Sequence, residues 1–324
     1  MKGFITVATG NDQYYNMAYN LLQSYRFHSG DKTPFAIICD QRNEWTEVFD
    51  DVIILDNPAH SYVDKLRILD LSPYDETIFI DADTLVYKDL NDLWRLFENG
   101  PDIGLLGSTC PTDSEKGLWK TENLGELKDK VSFKVMCQGG LYYVRNRGEN
   151  LPAIKETCKY IAAHYLDYHF NIFEKILEDE TILCLTAAVH HIRPVAQWST
   201  IYAYYPEVRC VSANIRKGRL RFISENGSGK PNRKGYFLHF GALNTLGPQS
   251  DGLYYREVSR LKYRSSWRQD FKDTMILFGR RAVNHSRFFH TIANLFPKEL
   301  RNSFNKVDSR GREHVCWGDP DSYK

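Results

Sequence analysis

Apolar positions in the first half of the chain fall into two rhythms. Short unbroken runs at Phe4 to Thr9 (FITVAT), Phe35 to Cys39 (FAIIC), Asp51 to Leu55 (DVIIL), Lys65 to Leu69 (KLRIL) and Thr77 to Ile80 (TIFI) alternate with helix-period segments such as YYNMAYNLLQSYRFH. Continuous apolar strands separated by helices predict an α/β fold, a Rossmann-like, mostly parallel sheet flanked by helices on both faces. Ligands of such sheets bind outside the carboxyl ends of the strands.

Further strands are predicted at Gly139 to Val144 (GGLYYV) and Gly235 to Phe240 (GYFLHF). The second follows RLRFIS and a Gly/Asn/Pro-rich turn, SENGSGKPNRKG, which reads as a β-hairpin with a mobile tip. LPAIKETCKYIAAHYLDYHF and DETILCLTAAVHH read as helices. From about Gly252 the chain turns aromatic and basic with helical spacing, so residues 1–251 are expected to form the main domain and 252–324 a mainly helical C-terminal segment.

Composition narrows the function classes. At 324 residues and 42% hydrophobic content the chain can bury a sizeable core. Lys and Arg number 42 against 41 Asp and Glu, for a formal charge of +1, which gives no reason to expect nucleic acid as a partner. Seven scattered cysteines without CxxC pairs point to free thiols in a reducing compartment and to no zinc cluster. The N-terminus enters a strand directly and no run approaches the roughly 18 apolar residues of a membrane span, so a cytoplasmic protein is expected.

The stretch YDETIFIDADTLVYKDL drives Ile78, Phe79 and Ile80 into Asp81 and Asp83, with no cation in the next three positions. Residues i and i+2 of a strand share a face, so both carboxylates are expected to project together from a strand's carboxyl end, where they repel unless something compensates. A hard divalent cation bound to two phosphates would do so. Spacing alone leaves a capping or turn role open, since DxD arises by chance about once in a chain of this size. Asp319 and Asp321, in a polar tail without a preceding strand, repeat the spacing and read as solvated.

The ordered blocks VATGNDQYYNMAYNLLQS, DKLRILDLSPYDETIFIDADTLVYKDLNDLW, CQGGLYYV, EDETIL and YFLHFGALN, from about Phe4 to Gly247, resemble the glycogenin-like family 8 glycosyltransferases of the GT-A fold. That resemblance implies a metal-dependent, retaining hexosyltransferase that uses a UDP-sugar. Asp81 and Asp83 around Ala82, with His239, would hold Mn²⁺; an imidazole beside two carboxylates favours it over the alternative, Mg²⁺. Alone, His239 between Leu238 and Phe240 reads more readily as a core or turn residue. By the same resemblance, Thr9 and Asn11 present groups to the base, Tyr14 stacks on it, and Lys65 reaches the donor from the preceding helix. On its own, Lys65 reads as a surface lysine.

Gln138 matches the position before a small-Gly pair, and Gly139 and Gly140 would let the backbone approach the sugar. Asp179 and Glu180 match an acidic pair that hydrogen-bonds sugar hydroxyls, with Asp179 or Gln138 stabilising the cationic sugar; acids are also favoured in any first helical turn. After Gly241 the sequence departs from the family, with HFGALNTLGPQS in place of Gly-Lys-Pro-Trp. The cation for the leaving diphosphate must then come from Lys65 or from Lys230, Arg233 and Lys234. Two other readings are a nucleotide-sugar-binding scaffold and a glycoside hydrolase; the hydrolase needs carboxyls about 5 to 9.5 Å apart, usually on separate elements. The sequence leaves the acceptor open, whether carbohydrate, lipid-linked glycan or protein, and the basic, aromatic C-terminal segment is a candidate for peripheral membrane contact.

Overall fold

A computed structural model of the chain describes residues 1–170, 177–224, 235–241 and 248–262. They divide into two compact units, the first holding 1–203 and 235–239 and the second 204–224, 240–241 and 248–262, within those described. The expected hairpin tip and the chain beyond residue 262 lie outside the described residues.

The first unit is mixed α/β, with a mainly parallel central sheet. It begins with β1 (Lys2–Ala8), α1 (Asp12–Ser29), β2 (Phe35–Cys39) and β3 (Asp51–Ile54). A 3₁₀ turn over Tyr62–Arg67 then leads into α2 (Ile68–Leu71), β4 (Glu76–Ile80), β5 (Thr84–Val86), β6 (Ile103–Cys110) and β7 (Lys134–Arg145). Next come α3 (Leu151–Ala163) and α4 (Asp179–Val189). Six strands stand in the order β3-β2-β1-β4-β7-β6, and five run the same way, because β7 alone is antiparallel to its neighbours β4 and β6.

Three of the runs that read as strands are buried on both faces, at Phe4 to Ala8, Phe35–Cys39 and Thr77 to Ile80, whereas β3 at the sheet edge is only partly buried. The KLRIL run is helical instead, and Ile68 and Leu69 insert into the core from there. On one side of the sheet Phe4 packs among Tyr25, Phe35 and Trp94, with ring centroids 5.1, 5.8 and 5.2 Å away.

A small second sheet, ordered β5-β11-β8, contains β8 (Ala203–Tyr204) and β11 (Phe237–His239). Here the structure corrects the expected hairpin. RLRFIS forms β10 (Arg219–Ser224), which pairs antiparallel with β9 (Val208–Asn214), while β11 pairs antiparallel with β5, His239 opposite Thr84. The turn that wins is shorter: Asn214 accepts a hydrogen bond from Lys217 N and Gly218 closes the turn at φ 56°. A tight turn costs less closure entropy than the longer Gly-rich segment. The burial of all three β11 residues suits the middle of a sheet better than a solvated hairpin.

In the second unit, α5 (Pro248–Lys262) packs against the turn between β9 and β10. Glu257, fully buried, accepts a hydrogen bond from Ile215 N at 2.7 Å and pairs with Arg260. Arg216 donates to the carbonyls of Arg260 and Leu261, satisfying acceptors at the helix end. Among the described residues no helix is long and apolar enough to cross a membrane.

Replacing Phe4 by Ala is expected to destabilise the protein by about 3 to 5 kcal/mol, because its aromatic neighbours cannot close the cavity. Denaturant unfolding followed by tyrosine and tryptophan fluorescence checks this.

Candidate active site

Asp81 and Asp83 lie just beyond the end of β4, in the turn that leads to β5. They are therefore not on the strand, as the i, i+2 argument supposed; the turn, pinned by Asp81 N donating to Gly140 O at 3.1 Å, makes the carboxylates converge. Their meeting point is the imidazole of His239. Its Nε2 lies 3.0 Å from Asp83 Oδ1 and 3.5 Å from Asp81 Oδ2. One ligand atom from each of the three residues fits within 4.8 Å, the one such group of His, Cys, Asp or Glu among the described residues.

A metal with bonds of about 2.1 Å spaces neighbouring ligands by roughly 3 Å and opposite ones by roughly 4.2 Å, so this donor set fits a divalent ion. Asp83 Oδ1 is buried and has no hydrogen-bond partner beyond its ion-pair contact with His239, which leaves it open to a cation.

The charge that balances the pair is supplied from far away in sequence. Lys65, on the 3₁₀ turn, places Nζ 2.7 Å from Asp81 Oδ2 and 3.9 Å from Asp179 Oδ1. Its side chain is only 16% exposed, so the surface reading of this lysine is wrong. Burial works against the ammonium, but Asp179 and then Asp81 raise its pKa above the ordinary value. Burial likewise opposes ionisation of Asp81, yet Lys65 and His239 hold its carboxyl well below the usual range. For His239 the Asp83 and Asp81 carboxylates outweigh burial and push the imidazole up to about 10.

Asp179 and Glu180 open α4. Asp179 is buried and pushed up to about 6 by burial, with Lys65 opposing the shift. Glu180 accepts a hydrogen bond from Gly139 N at 2.6 Å and is pushed up to about 8 by burial and by the nearby Glu178 and Asp179. The two glycines of β7 have an immediate structural use. A Cβ on Gly140 would come within 2.3 Å of His239 Nδ1, so the histidine ring fills the space that glycine leaves. A Cβ on Gly139 would stand 3.3 Å from Glu180 Oε2.

Ala82 is buried and donates to Asp81 Oδ1 at 3.0 Å. Thr9 donates to Asp64 at 2.9 Å, and Asn11 caps α1 by accepting from Gln13 N. Tyr14 is 45% exposed, whereas Tyr15 is buried with its hydroxyl on Asp40. Gly241, at φ 51°, belongs to the second unit, where a Cβ would strike the Tyr204 ring.

Three contributors escaped the sequence reading. Gln138 Oε1 meets the hydroxyl of Tyr202 at 2.7 Å, Asp64 anchors Thr9, and Tyr62, 46% exposed, carries Lys65 Nζ 5.4 Å from its ring centroid. No local signal in TIYAYYPEV singles out Tyr202 from its tyrosine neighbours.

No protein-family model matches the chain, and no curated protein does. Among solved structures, it is similar to the galactosyltransferase LgtC in complex with donor and acceptor sugar analogues, with 11% identity over 83% of this chain and 99% of that one and a TM-score of 0.46. It is also similar to mouse xyloside xylosyltransferase 1, with 11% identity over 76% of this chain and 99% of that one and a TM-score of 0.45. A third is the glycosyltransferase GlyE of Streptococcus pneumoniae TIGR4, with 13% identity over 62% of this chain and a TM-score of 0.41. The match spans 46% of the GlyE chain and 45% of the bifunctional glycosyltransferase WbbM.

The raised carboxyls fix the sign of a pH effect. Glu180 keeps its proton in the folded state up to about 8 but loses it near 4.5 when unfolded, so its stabilising contribution is complete below about 4.5 and gone above about 8. The metal-free protein should lose stability across that window, with Asp179 contributing up to about 6 and His239 from about 6.5 to 10. Thermal unfolding in chelator at a series of pH values should show a shallower decline for Glu180→Gln; an unchanged slope contradicts the assignment.

Proposed function

We propose that this chain is a metal-dependent GT-A glycosyltransferase that moves a hexosyl group from a UDP-sugar to an acceptor hydroxyl with retention at the anomeric carbon. The observation that carries the reading is the convergence of Asp81, Asp83 and His239 beyond the carboxyl end of β4, where α/β sheets bind ligands. A divalent ion, Mn²⁺ by its donor set, supplies Lewis-acid neutralisation of the diphosphate when bound there. The chain's own groups do the rest.

Tyr14, exposed at the start of α1, offers its ring to the uracil, a contact worth about 1 to 3 kcal/mol. Thr9 and Asn11 border the same end of the sheet. Lys65, in contact with Asp81, takes the place of the lysine missing after His239. As the bond from the anomeric carbon to phosphate oxygen breaks and that to the acceptor oxygen forms, the proton passes to the departing phosphate, so no protein base is needed. Asp179, mainly ionised at neutral pH, is the anion assigned to the positive sugar, and Glu180, mainly neutral, keeps its bond to Gly139.

A second reading, a nucleotide-sugar-binding scaffold, is favoured by the 2.7 Å contact between Lys65 and Asp81, which lets an ammonium occupy an oxygen that a metal needs. Turnover separates the two. UDP release from UDP-glucose, UDP-galactose, UDP-xylose and UDP-N-acetylglucosamine should require Mn²⁺ for at least one donor. It should fall about 100-fold or more in the Asp81→Asn, Asp83→Asn double variant. Full turnover by that variant contradicts the proposal, and UDP binding without release from any donor supports the scaffold.

A further inference from the structure

The imidazole of His239 turns Nε2 toward the two aspartates and Nδ1 toward Gln138 Oε1, 3.3 Å away. The identity of that Gln138 atom is fixed independently of the ring. Gly140 N donates to it at 2.8 Å, and a backbone N–H can only donate, so the atom is the amide oxygen. The Tyr202 hydroxyl makes a second bond to the same oxygen at 2.7 Å and reaches the Gln138 carbonyl at 3.3 Å. An amide oxygen has no hydrogen to give, so a hydrogen bond across the 3.3 Å to the ring carries its hydrogen on Nδ1. With a hydrogen held on Nδ1, the nitrogen that would give up its hydrogen to a cation is Nε2, whose lone pair then faces the aspartates.

The parts that hold this arrangement are themselves immobilised. Tyr202 is fully buried and stacks on Phe237, with ring centroids 4.4 Å apart and planes 13° from parallel. Phe237 and His239 lie two apart on β11, which ties the stacked pair to the strand that carries the histidine. Gly140 leaves the space beside Nδ1 that the ring occupies and that any Cβ would fill.

We propose that Gln138 and Tyr202 are positioning residues that hold His239 in the Nδ1–H tautomer and so deliver the Nε2 lone pair to a divalent cation shared with Asp81 and Asp83. This rests on the metal-dependent reading above and deepens it: Gln138, which the family resemblance places at the sugar, acts through the histidine. Metal-bound histidines generally donate their second ring N–H to an acceptor that sets tautomer and orientation, and loss of that acceptor weakens metal affinity about 10- to 100-fold.

The test titrates the full chain with Mn²⁺ alone, reading the free ion by its electron paramagnetic resonance signal. Gln138→Met should weaken binding about 10- to 100-fold, and Tyr202→Phe should weaken it by a smaller factor. Gln138→Glu, which keeps an acceptor toward Nδ1, should bind at least as well as wild type. Long-range proton–nitrogen NMR of histidine-labelled protein with diamagnetic Zn²⁺ should show His239 protonated at Nδ1 in wild type, with that signature degraded in Tyr202→Phe. If wild type binds Mn²⁺ and the Met and Phe variants match it, or if the proton sits on Nε2, the inference is overturned while the metal reading stands. If wild type leaves Mn²⁺ free, the metal reading falls and takes the inference with it. Should Gln138→Met fail to fold, the Tyr202→Phe affinity and the two NMR spectra decide the matter.

Discussion

Two carboxylates are forced together at the end of β4, and most of the site can be understood as the means of making that tolerable. Like charges about 4 Å apart near a protein surface repel by about 4 kcal/mol, a large share of a domain's net stability. The turn after Ile80 cannot separate them, because Asp81 N is tied to the β7 backbone at Gly140. Compensation therefore comes from outside the segment: Lys65 from the 3₁₀ turn before β4, and His239 from a strand more than 150 positions later. The glycine at 140 follows from the same demand, since any side chain there would occupy the volume of the imidazole.

The same cluster sorts its acids into two populations. Asp81 is held ionised by the cations it touches, whereas Glu180, away from them and beside other carboxyls, holds its proton to about 8. Groups with such divergent proton affinities within one cleft are typical of sites that do chemistry, although ion-pair networks built for structure also produce them. The proposed donor set of Asp81, Asp83 and His239 favours the first, and the Nδ1 edge of the ring, turned away from the aspartates, faces Gln138 Oε1.

Much of this was legible in the sequence wherever local pattern and tertiary fate coincide. Strands buried on both faces must be apolar throughout, so Phe35–Cys39 could be read to the residue, and an apolar run ending in Asp81 and Asp83 marked the carboxyl edge of the sheet. What was not legible depends on contacts across the fold. Phe237–His239 carries the same signature whether it pairs with β10 or with β5, and the cost of closing the longer turn and the burial of the strand are decided by the fold. Lys65 looks like any solvated lysine until the carboxylates that surround it are in place. Tyr202 sits in a run of tyrosines and acquires its role solely from the Gln138 oxygen it meets.

The central claim is that the aspartate pair is built to share a doubly charged ion with His239. Anomalous scattering from crystals grown with Mn²⁺ and UDP tests it most directly. The account predicts a manganese peak bonded to Asp81, Asp83 and His239 Nε2, with Lys65 drawn away from Asp81 Oδ2. A cluster with no anomalous peak, in which Lys65 still closes on Asp81, would contradict it.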